Sequence, residues 1–439
     1  MIHRFSKLLK VYVSGNGRVR GFHGGQVDGC SANPVALQMI DYALSLARSI
    51  KSDESHAEGM LVLEQCLSSS SSCDELDAGS ASNSKGMVLL AMSDLLFARG
   101  KYGDAMDKLQ RIPQLPNASL GLRVAAMEAL VGINLQLGDD VASSVLADKC
   151  LEIVDVEKDK RLEEVHLRAT SVKGLVELSL GNIELAKTIF KKMKIDDVGA
   201  FGLSFGEFLH VTNSLTDAKE VYEKVIEEVS TSKGFTSINL LSACNMERSE
   251  TLVAAKCALG QLQCHLGDFD SAERTLASAL KEAEQSFGLR HPKTGVVLSC
   301  LALLFRRKGV SEGASSLLVE EGLYRRAGEL LKLDPLESED WEGGSWKEIA
   351  AIVRGGHVGS VGILWVIVTC VGGYAEAVGA NKSRKEEAEK MQKWAEMNWK
   401  KADRSLEDVL NSTKLAVIDS RKIRNWVKDE PVDEAGGMT

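Results

Sequence analysis

One pattern recurs along most of this 439-residue chain and constrains its fold more than any other feature. In its clearest copy, the small residue Gly260 precedes Gly267, which is followed by Ala272 and then by the larger Leu276. A unit repeated at fixed offsets is typical of an array in which neighbouring units bury one another's apolar faces. The turn positions of the six clear copies are Gly100, Gly138, Gly181, Asn213, Gly267 and Gly309.

Each copy predicts a hairpin of two helices. Small residues such as Gly174 and Ala302 let the first helix approach the second, and alanines such as Ala186 do the same from the second helix. Glycine at the turn ends the first helix because it adopts a left-handed backbone at no steric cost. One hairpin cannot bury its apolar face alone, so the copies must stack.

This pattern resembles the tetratricopeptide repeat (TPR), which places a small residue at its eighth position, glycine at its turn, alanine at its twentieth position and a large apolar residue four later. The resemblance covers residues 35–330. It implies an all-α fold, a right-handed superhelical α-solenoid of antiparallel helix hairpins. It also implies that a protein or peptide partner binds in the concave groove.

The junction around His291-Pro292, with Gly288 before it, looks like the kinesin-light-chain subtype of these repeats. That subtype carries a Gly-x-x-His-Pro segment between longer repeats. The resemblance implies binding of cargo or a partner and does not imply motor activity. The heptad coiled coil that precedes such repeats in kinesin light chains does not occur here.

Changes of composition divide the rest of the chain. The first 30 residues are basic and contain no acidic residue before Asp28, which is typical of an organelle transit peptide. We therefore expect a mitochondrial protein, with the plastid as the alternative, or a cytoplasmic one if this segment is not a transit peptide. The predicted segments are a disordered transit peptide (1–30), a weak first hairpin (35–66), a Ser-rich linker (67–85), the TPR-like array (86–330), an irregular segment with an apolar insertion (331–373), capping helices (374–427) and a disordered tail (428–439).

The most apolar run of the chain, "VGSVGILWVIVTCVGG" at 358–373, is too short for a membrane span, which takes about 20 residues. Removing residues 357–373 would join "IVRGG" to "YAEAVG" as one further repeat turn, with Tyr374 and Ala377 in the slots of the second helix. We therefore expect an insertion whose deletion leaves the protein more soluble. The alternative is a buried first helix of a final repeat, and the large Trp365 in its small-residue slot argues against that.

Neither catalysis nor a cofactor is indicated. No nucleophile elbow, zinc-protease signature or kinase signature occurs. The nine cysteines include no Cys-x-x-Cys pair. Cys257, Cys264 and His265 share one predicted helix and could share a metal, but buried thiols more often only pack. We expect a non-catalytic protein with neither metal nor cofactor.

The repeat register also tests a chaperone-tail clamp, which needs Lys at the fifth and Asn at the ninth position of a first helix. The fifth positions are Leu90, Glu128, Ser171, Leu203, Cys257 and Ser299, and the ninth are Asp94, Gly132, Leu175, Glu207, Gln261 and Leu303. No copy matches, so we expect no binding of a terminal carboxylate.

The same register gives the candidate residues of the partner groove, acidic toward the N-terminal side and basic near its end. They are Asp94, Glu128, Gln136, Glu207, His210, Gln261, His265, Arg306 and Arg307. An RNA-binding helical-repeat protein of organelle gene expression is the alternative, and the basic, Trp-containing segment 382–427 is compatible with it. The variable repeat length and the net charge of −9 favour the protein scaffold.

Overall fold

A computed structural model describes residues 32–50, 53–69, 78–137, 139–155, 163–195, 202–231, 248–313, 317–331, 361–398, 406, 410, 416–419 and 424–427. These residues form α-helices joined by turns, one short 3-10 helix (Lys382–Arg384) and one short two-stranded antiparallel sheet. The predicted transit peptide and tail lie outside the described residues, as does the turn residue Gly138.

Sixteen α-helices are described. They are α1 (Pro34–Ile50), α2 (Asp53–Ser69), α3 (Ala78–Ala98), α4 (Tyr102–Gln110), α5 (Leu120–Leu137), α6 (Asp140–Asp155), α7 (Glu163–Ser179), α8 (Ile183–Phe190), α9 (Leu203–Val211), α10 (Leu215–Thr231), α11 (Arg248–His265), α12 (Phe269–Ser286), α13 (Pro292–Glu312), α14 (Leu317–Leu330), α15 (Val361–Gly379) and α16 (Lys385–Asn398). The strands are β1 (Ala416–Asp419) and β2 (Arg424–Val427).

The helices pack in chain order and form two layers. Each odd-numbered helix contacts the next odd-numbered helix, from α1 to α15, and we call this continuous layer the first-helix layer. Each even-numbered helix from α2 to α14 packs against the odd-numbered helices before and after it, and α16 packs against α15. This arrangement is consistent with a helical repeat solenoid, as the sequence predicts.

The close approaches predicted from the repeat register are present within three hairpins. A Cβ added at Gly174 of α7 would overlap the ring of Phe190 in α8. The equivalent Cβ at Gly206 would lie 2.7 Å from Tyr222 Cε1, and at Gly260 it would lie 2.5 Å from Leu276 Cγ. Each of these large side chains therefore packs directly on a glycine of the partner helix. A larger residue would fit there only if the facing side chain or the partner helix shifted.

The turns agree with the prediction at four positions and differ at the last. Gly100, Gly181, Gly267 and Asn213 all have positive φ. Gly309 does not, because α13 continues to Glu312 and ends at Gly313, which is left-handed with φ 64°. The predicted turn at Gly309 is therefore wrong.

A single glycine inside a helix costs only about 1 kcal/mol, so it does not by itself end the helix. The later turn displaces the last predicted second helix. As a consequence Leu318, which takes the position of Leu276 in this copy of the repeat, is 86% exposed.

The His291-Pro292 junction is a helix start. Gly288 has φ 104°, His291 caps α13 by accepting a hydrogen bond from the Lys293 N–H at Nδ1, and Pro292 opens the helix. Proline is favoured at this position because the N–H it lacks would have no partner within the helix. The hydroxyl of Thr294 donates to the carbonyl of Gly288 across 3.0 Å, which closes the loop.

The apolar run at 358–373 was predicted to be an insertion, and this prediction is wrong for its described part. Residues 361–379 form α15, and Val368, Cys370 and Val371 are buried. The small-residue positions are Gly372 and Gly373 rather than Trp365: a Cβ at 373 would overlap the ring of Tyr324 in α14, and one at 372 would lie 2.7 Å from Leu406 Cδ2. A helix that is apolar on all sides is a buried helix.

Of the described helices, none combines the length and apolarity needed to cross a membrane.

Two other predicted segments differ from the structure. Residues 78–85 belong to α3 rather than to the Ser-rich linker, and Asn83 supports this end of the helix by accepting the backbone N–H of Ser119 at 2.9 Å. The capping helices were predicted to reach 427, but the residues from 416 include β1 and β2, in which Val417 pairs with Trp426. Short runs of β-branched and aromatic residues favour strand over helix.

Replacement of Ala272 by leucine is expected to lower the free energy of unfolding by about 1–3 kcal/mol, because the added side chain enters a filled core. Ala272 is fully buried on α12. Ala277→Leu is the matched control, since Ala277 is exposed on the same helix. Urea unfolding measures both variants, and equal stabilities would contradict the repeat register.

Candidate functional site

Every predicted groove residue lies on an odd-numbered helix. Asp94 is on α3, Glu128 and Gln136 on α5, Glu207 and His210 on α9, Gln261 and His265 on α11, and Arg306 and Arg307 on α13. The side chain of Gln136 lies outside the described residues. All of the candidates therefore belong to the first-helix layer.

These side chains are less exposed than an open groove requires. Asp94, Glu128, Glu207, His210 and Gln261 are all buried, with Glu207 only 1% and His210 0% exposed. We expected solvated groove residues from the sequence, and that expectation is wrong for these five. Burial of charged and polar groups is costly unless they are paired, so their partners decide what this layer can do.

Glu128 and Arg168 form a buried ion pair between α5 and α7. Arg168 Nε donates to Glu128 Oε2 at 2.5 Å, and both side chains are less than 10% exposed. Arg168 was not among the sequence candidates, because its partner lies forty positions away and no local pattern marks the pair. The pair ties two first helices together at a place where the sequence predicted a free acidic group.

A second ion cluster lies between α6 and α7. The ammonium group of Lys173 lies 2.6 Å from a carboxylate oxygen of Asp148 and 2.8 Å from one of Glu177. Burial lowers the pKa of Lys173, but the hydrogen bonds that its ammonium group donates to the two carboxylates outweigh this effect, and the pKa is raised overall. Lys173 is therefore a charged structural residue, and sequence reasoning missed it.

The two candidate histidines contact each other, with His210 buried and His265 half-buried. His210 Nε2 lies 2.6 Å from His265 Nδ1, and His210 Nδ1 lies 3.3 Å from the hydroxyl of Tyr222. Burial, and then the nearby positive charge of Arg307, lowers the pKa of His210 to about 3. The same causes hold the pKa of His265 well below its ordinary value. Both rings are therefore neutral at pH 7 and can share one N–H···N hydrogen bond.

Three buried thiols lie on the helix that carries His265 and on the next first helix: Cys257 and Cys264 on α11, and Cys300 on α13. Burial raises the pKa of Cys264, although Arg307 opposes the shift. A hydrogen bond with Cys257, together with burial, raises the pKa of Cys300 well above its ordinary value. Protonated thiols are poor nucleophiles and poor metal ligands. Within the described part of the chain, no three His, Cys, Asp or Glu residues are placed to hold a metal ion.

Arg306 joins α13 to the C-terminal part of the chain. Its guanidinium forms an ion pair with Glu376 of α15, and its Nε donates to the carbonyl of Leu410 at 3.1 Å. Glu320 lies nearby, and burial raises the pKa of its carboxyl to about 7, with Arg306 opposing the shift and Glu376 adding to it. Arg306 was predicted to line a basic groove and is instead engaged by residues of this chain.

The C-terminal segment packs against the first-helix layer. Strand β1 contacts α9 and α11, strand β2 contacts α7 and α15, and α15 also contacts α5. The β1–β2 hairpin therefore lies across three consecutive first helices, the same layer that carries the predicted groove residues. Contact between α15 and α5 brings the last described hairpin close to the third, so the array curves back toward itself.

Replacement of His210 by glutamine is expected to remove a pH-dependent part of the stability. The folded histidine has a pKa of about 3, so the unfolded chain alone takes up this proton below about pH 6.5, and stability is lost as the pH falls. This amounts to about 2 kcal/mol between pH 7 and pH 5. Relative to the parent, the variant should therefore improve by that amount at pH 5.

Urea unfolding of both proteins at the two pH values measures this difference. Glu320, whose raised pKa has the opposite effect, is present in both proteins and cancels from the comparison. A difference between parent and variant that does not change with pH would contradict the neutral, buried state of His210.

Comparison with protein-family models, with curated proteins and with solved structures found no match for this chain.

Proposed function

We propose that this protein is a non-catalytic TPR-like scaffold that binds a protein or peptide partner along its first-helix layer. In this proposal the hairpins are antiparallel and wind into a right-handed superhelix, with the odd-numbered helices on its concave face. The observation that carries the proposal is the continuous contact of the odd-numbered helices from α1 to α15. A layer of this kind offers side chains from many repeats to one extended ligand.

The His291-Pro292 junction supports a relation to the kinesin-light-chain subtype of TPR. The capping histidine, the proline that opens α13 and the left-handed Gly288 together give the segment a defined turn between two long helices. Under this proposal the chain binds cargo or an adaptor partner and has no motor activity of its own. The first helix α13 then forms part of the partner-binding layer, and the second helix α12 packs behind this layer and supports it.

We also propose that the protein acts in mitochondria. The support is the basic composition of residues 1–30, in which no acidic residue precedes Asp28. Deletion of residues 1–30 is expected to leave a fluorescent fusion in the cytosol, whereas the full chain co-localises with a mitochondrial marker. The folded array should be unaffected, which a thermal unfolding curve of the deletion variant checks. A cytosolic full-length fusion would contradict this localisation, and a plastid signal would support the alternative organelle.

Binding along the first-helix layer can be tested with two pairs of alanine substitutions. Gln261→Ala with His265→Ala changes a buried and a half-buried residue of this layer on α11, and Lys281→Ala with Gln285→Ala changes exposed positions of α12. Tagged full-length proteins are purified from mitochondrial extract, and their bound proteins are quantified by mass spectrometry. We expect the α11 pair to lose at least one specific partner about tenfold, while the α12 pair retains it.

Equal retention by both pairs would contradict binding along the first-helix layer. RNA that co-purifies at moderate salt, and is lost with the α11 pair, would favour the RNA-binding alternative. Thermal unfolding of both variants shows whether any loss follows from unfolding rather than from the surface.

A further inference from the structure

The β1–β2 hairpin lies where the proposed function puts the partner. Strand β1 contacts α9 and α11, and strand β2 contacts α7, so four-residue strands bridge the first helices of three consecutive repeats. The hairpin is far from these helices in sequence. Its position is therefore a tertiary contact of the C-terminal segment and not an extension of the repeat pattern.

The backbone pairing between β1 and β2 is not sufficient to stabilise this hairpin. It has four paired positions on each strand, from Ala416 with Val427 to Asp419 with Arg424. An isolated two-stranded hairpin is at best marginally stable in water. The helices on which it lies must therefore supply the stabilisation, which makes the first-helix layer a surface that holds an extended, two-stranded segment.

The chain tethers this hairpin at its start. Leu410 is buried, and its carbonyl accepts a hydrogen bond from Arg306 of α13. Only residues 411–415 separate this anchored point from β1. A short tether holds a ligand near its site at an effective concentration in the millimolar range. An intramolecular ligand of even modest affinity then occupies its site almost completely.

The composition of the hairpin segment indicates the chemistry of an occupant that this layer holds. The stretch 413–428, "TKLAVIDSRKIRNWVK", has five basic residues and one acidic residue in a chain of net charge −9. The acidic residues Glu207 on α9 and Glu177 on α7 are buried, and Glu177 is paired with Lys173. The basic and apolar composition of the segment itself is therefore what defines the occupant.

We infer that the β1–β2 hairpin is an intramolecular occupant of the partner-binding surface, and that the partner presents a basic, amphipathic, extended segment that displaces it. This inference rests on the proposed function. A partner segment of this chemistry competes for the first-helix layer with the β1–β2 hairpin, which the chain holds close to that layer. The free protein is therefore closed, and binding requires release of β1 and β2 from α7, α9 and α11.

The test uses a labelled peptide and two variants of the full chain. Val417→Pro with Ile418→Pro breaks the hairpin. Along an antiparallel strand, residues that form backbone hydrogen bonds with the partner strand alternate with residues that do not, so one of these two prolines removes such a bond. Ala435→Pro with Gly436→Pro places the same change in the tail as a matched control. Fluorescence anisotropy of a fluorescein-labelled peptide of sequence 413–428 reports binding to each protein, and a scrambled peptide controls for charge.

We expect the hairpin variant to bind the peptide about 10²–10³-fold more tightly than the parent or the tail variant, because the tethered competitor is gone. The scrambled peptide should bind all three proteins weakly. Equal affinity of the parent and the hairpin variant would overturn the inference. So would equal binding of the scrambled peptide, which would show attraction of charge alone.

A second experiment covers the case in which the proline variant does not fold. A protease site placed at residues 411–413 of the full chain allows the tether to be cut after folding. We expect the C-terminal fragment to dissociate on dilution while the helical signal and its thermal transition persist. Unfolding of the array after the cut, or a fragment that never dissociates, would show that the hairpin is a fixed part of the core. If partners depend on the α11 pair but the peptide does not bind, the proposed function stands and this inference fails.

Discussion

Deletion of residues 357–373 is expected to destabilise the protein by more than about 5 kcal/mol and to reduce its soluble yield. The deletion removes most of α15, including the buried Val368, Cys370 and Val371. It also removes Gly373, on which the ring of Tyr324 packs. Urea unfolding and the soluble fraction on expression measure the effect.

A deletion of residues 428–439, which the sequence predicts to be a disordered tail, is the control and should leave stability unchanged. A 357–373 variant that is as soluble and as stable as the parent would contradict the structure of α15. That outcome would restore the interpretation of the segment as an insertion.

Replacement of Glu128 by alanine is expected to cost about 3–5 kcal/mol, because it leaves the guanidinium of Arg168 buried without its carboxylate. Replacing both residues by methionine should recover most of this loss, since an apolar pair of similar volume needs no charge compensation. Asp148→Ala is the control: Asp148 is 53% exposed beside Lys173, and its loss should cost less than about 1 kcal/mol.

Unfolding by urea, with the single and double variants compared in one cycle, measures the coupling. If Glu128→Ala is no more destabilising than Asp148→Ala, then α5 and α7 are not joined by a buried ion pair. The groove assignment of Glu128 from sequence would then regain its support.

The local geometry of the hairpins could be predicted from the sequence because it repeats. Gly174, Gly206 and Gly260 each face the large residue sixteen positions later, and the offset is visible in the chain without any structure. The burial of Ala272 on the second helix follows from the same register. Contacts within one hairpin join residues that are close together in the sequence. The periodicity of the sequence therefore predicts them well.

The ends of the array could not be predicted in the same way. The helix α13 passes Gly309, and α15 uses Gly372 and Gly373 where the sequence pointed to Trp365. These differences arise where a helix meets the C-terminal segment rather than another repeat. Once the period is interrupted, glycine spacing alone no longer fixes which glycine is a turn and which is a site of close packing.

The candidate site was placed on the right layer but in the wrong environment. His210 and Glu207 lie on α9 as the register predicts, yet both are buried. Their burial accompanies contacts from segments more than two hundred positions away in the chain, such as β1 on α9. No local pattern encodes such contacts, so sequence reasoning described an open groove.

Hydrogen exchange of the intact, unmodified chain tests most directly whether the first-helix layer holds the C-terminal hairpin. We expect the amides of residues 416–419 and 424–427 to exchange much more slowly than those of 430–439, since a hairpin this small is protected only when it is docked. We also expect the protection of α7, α9 and α11 to decrease when Val417→Pro and Ile418→Pro break the hairpin. Exchange of 416–427 as fast as that of the tail, with no change in the three helices, would contradict both expectations.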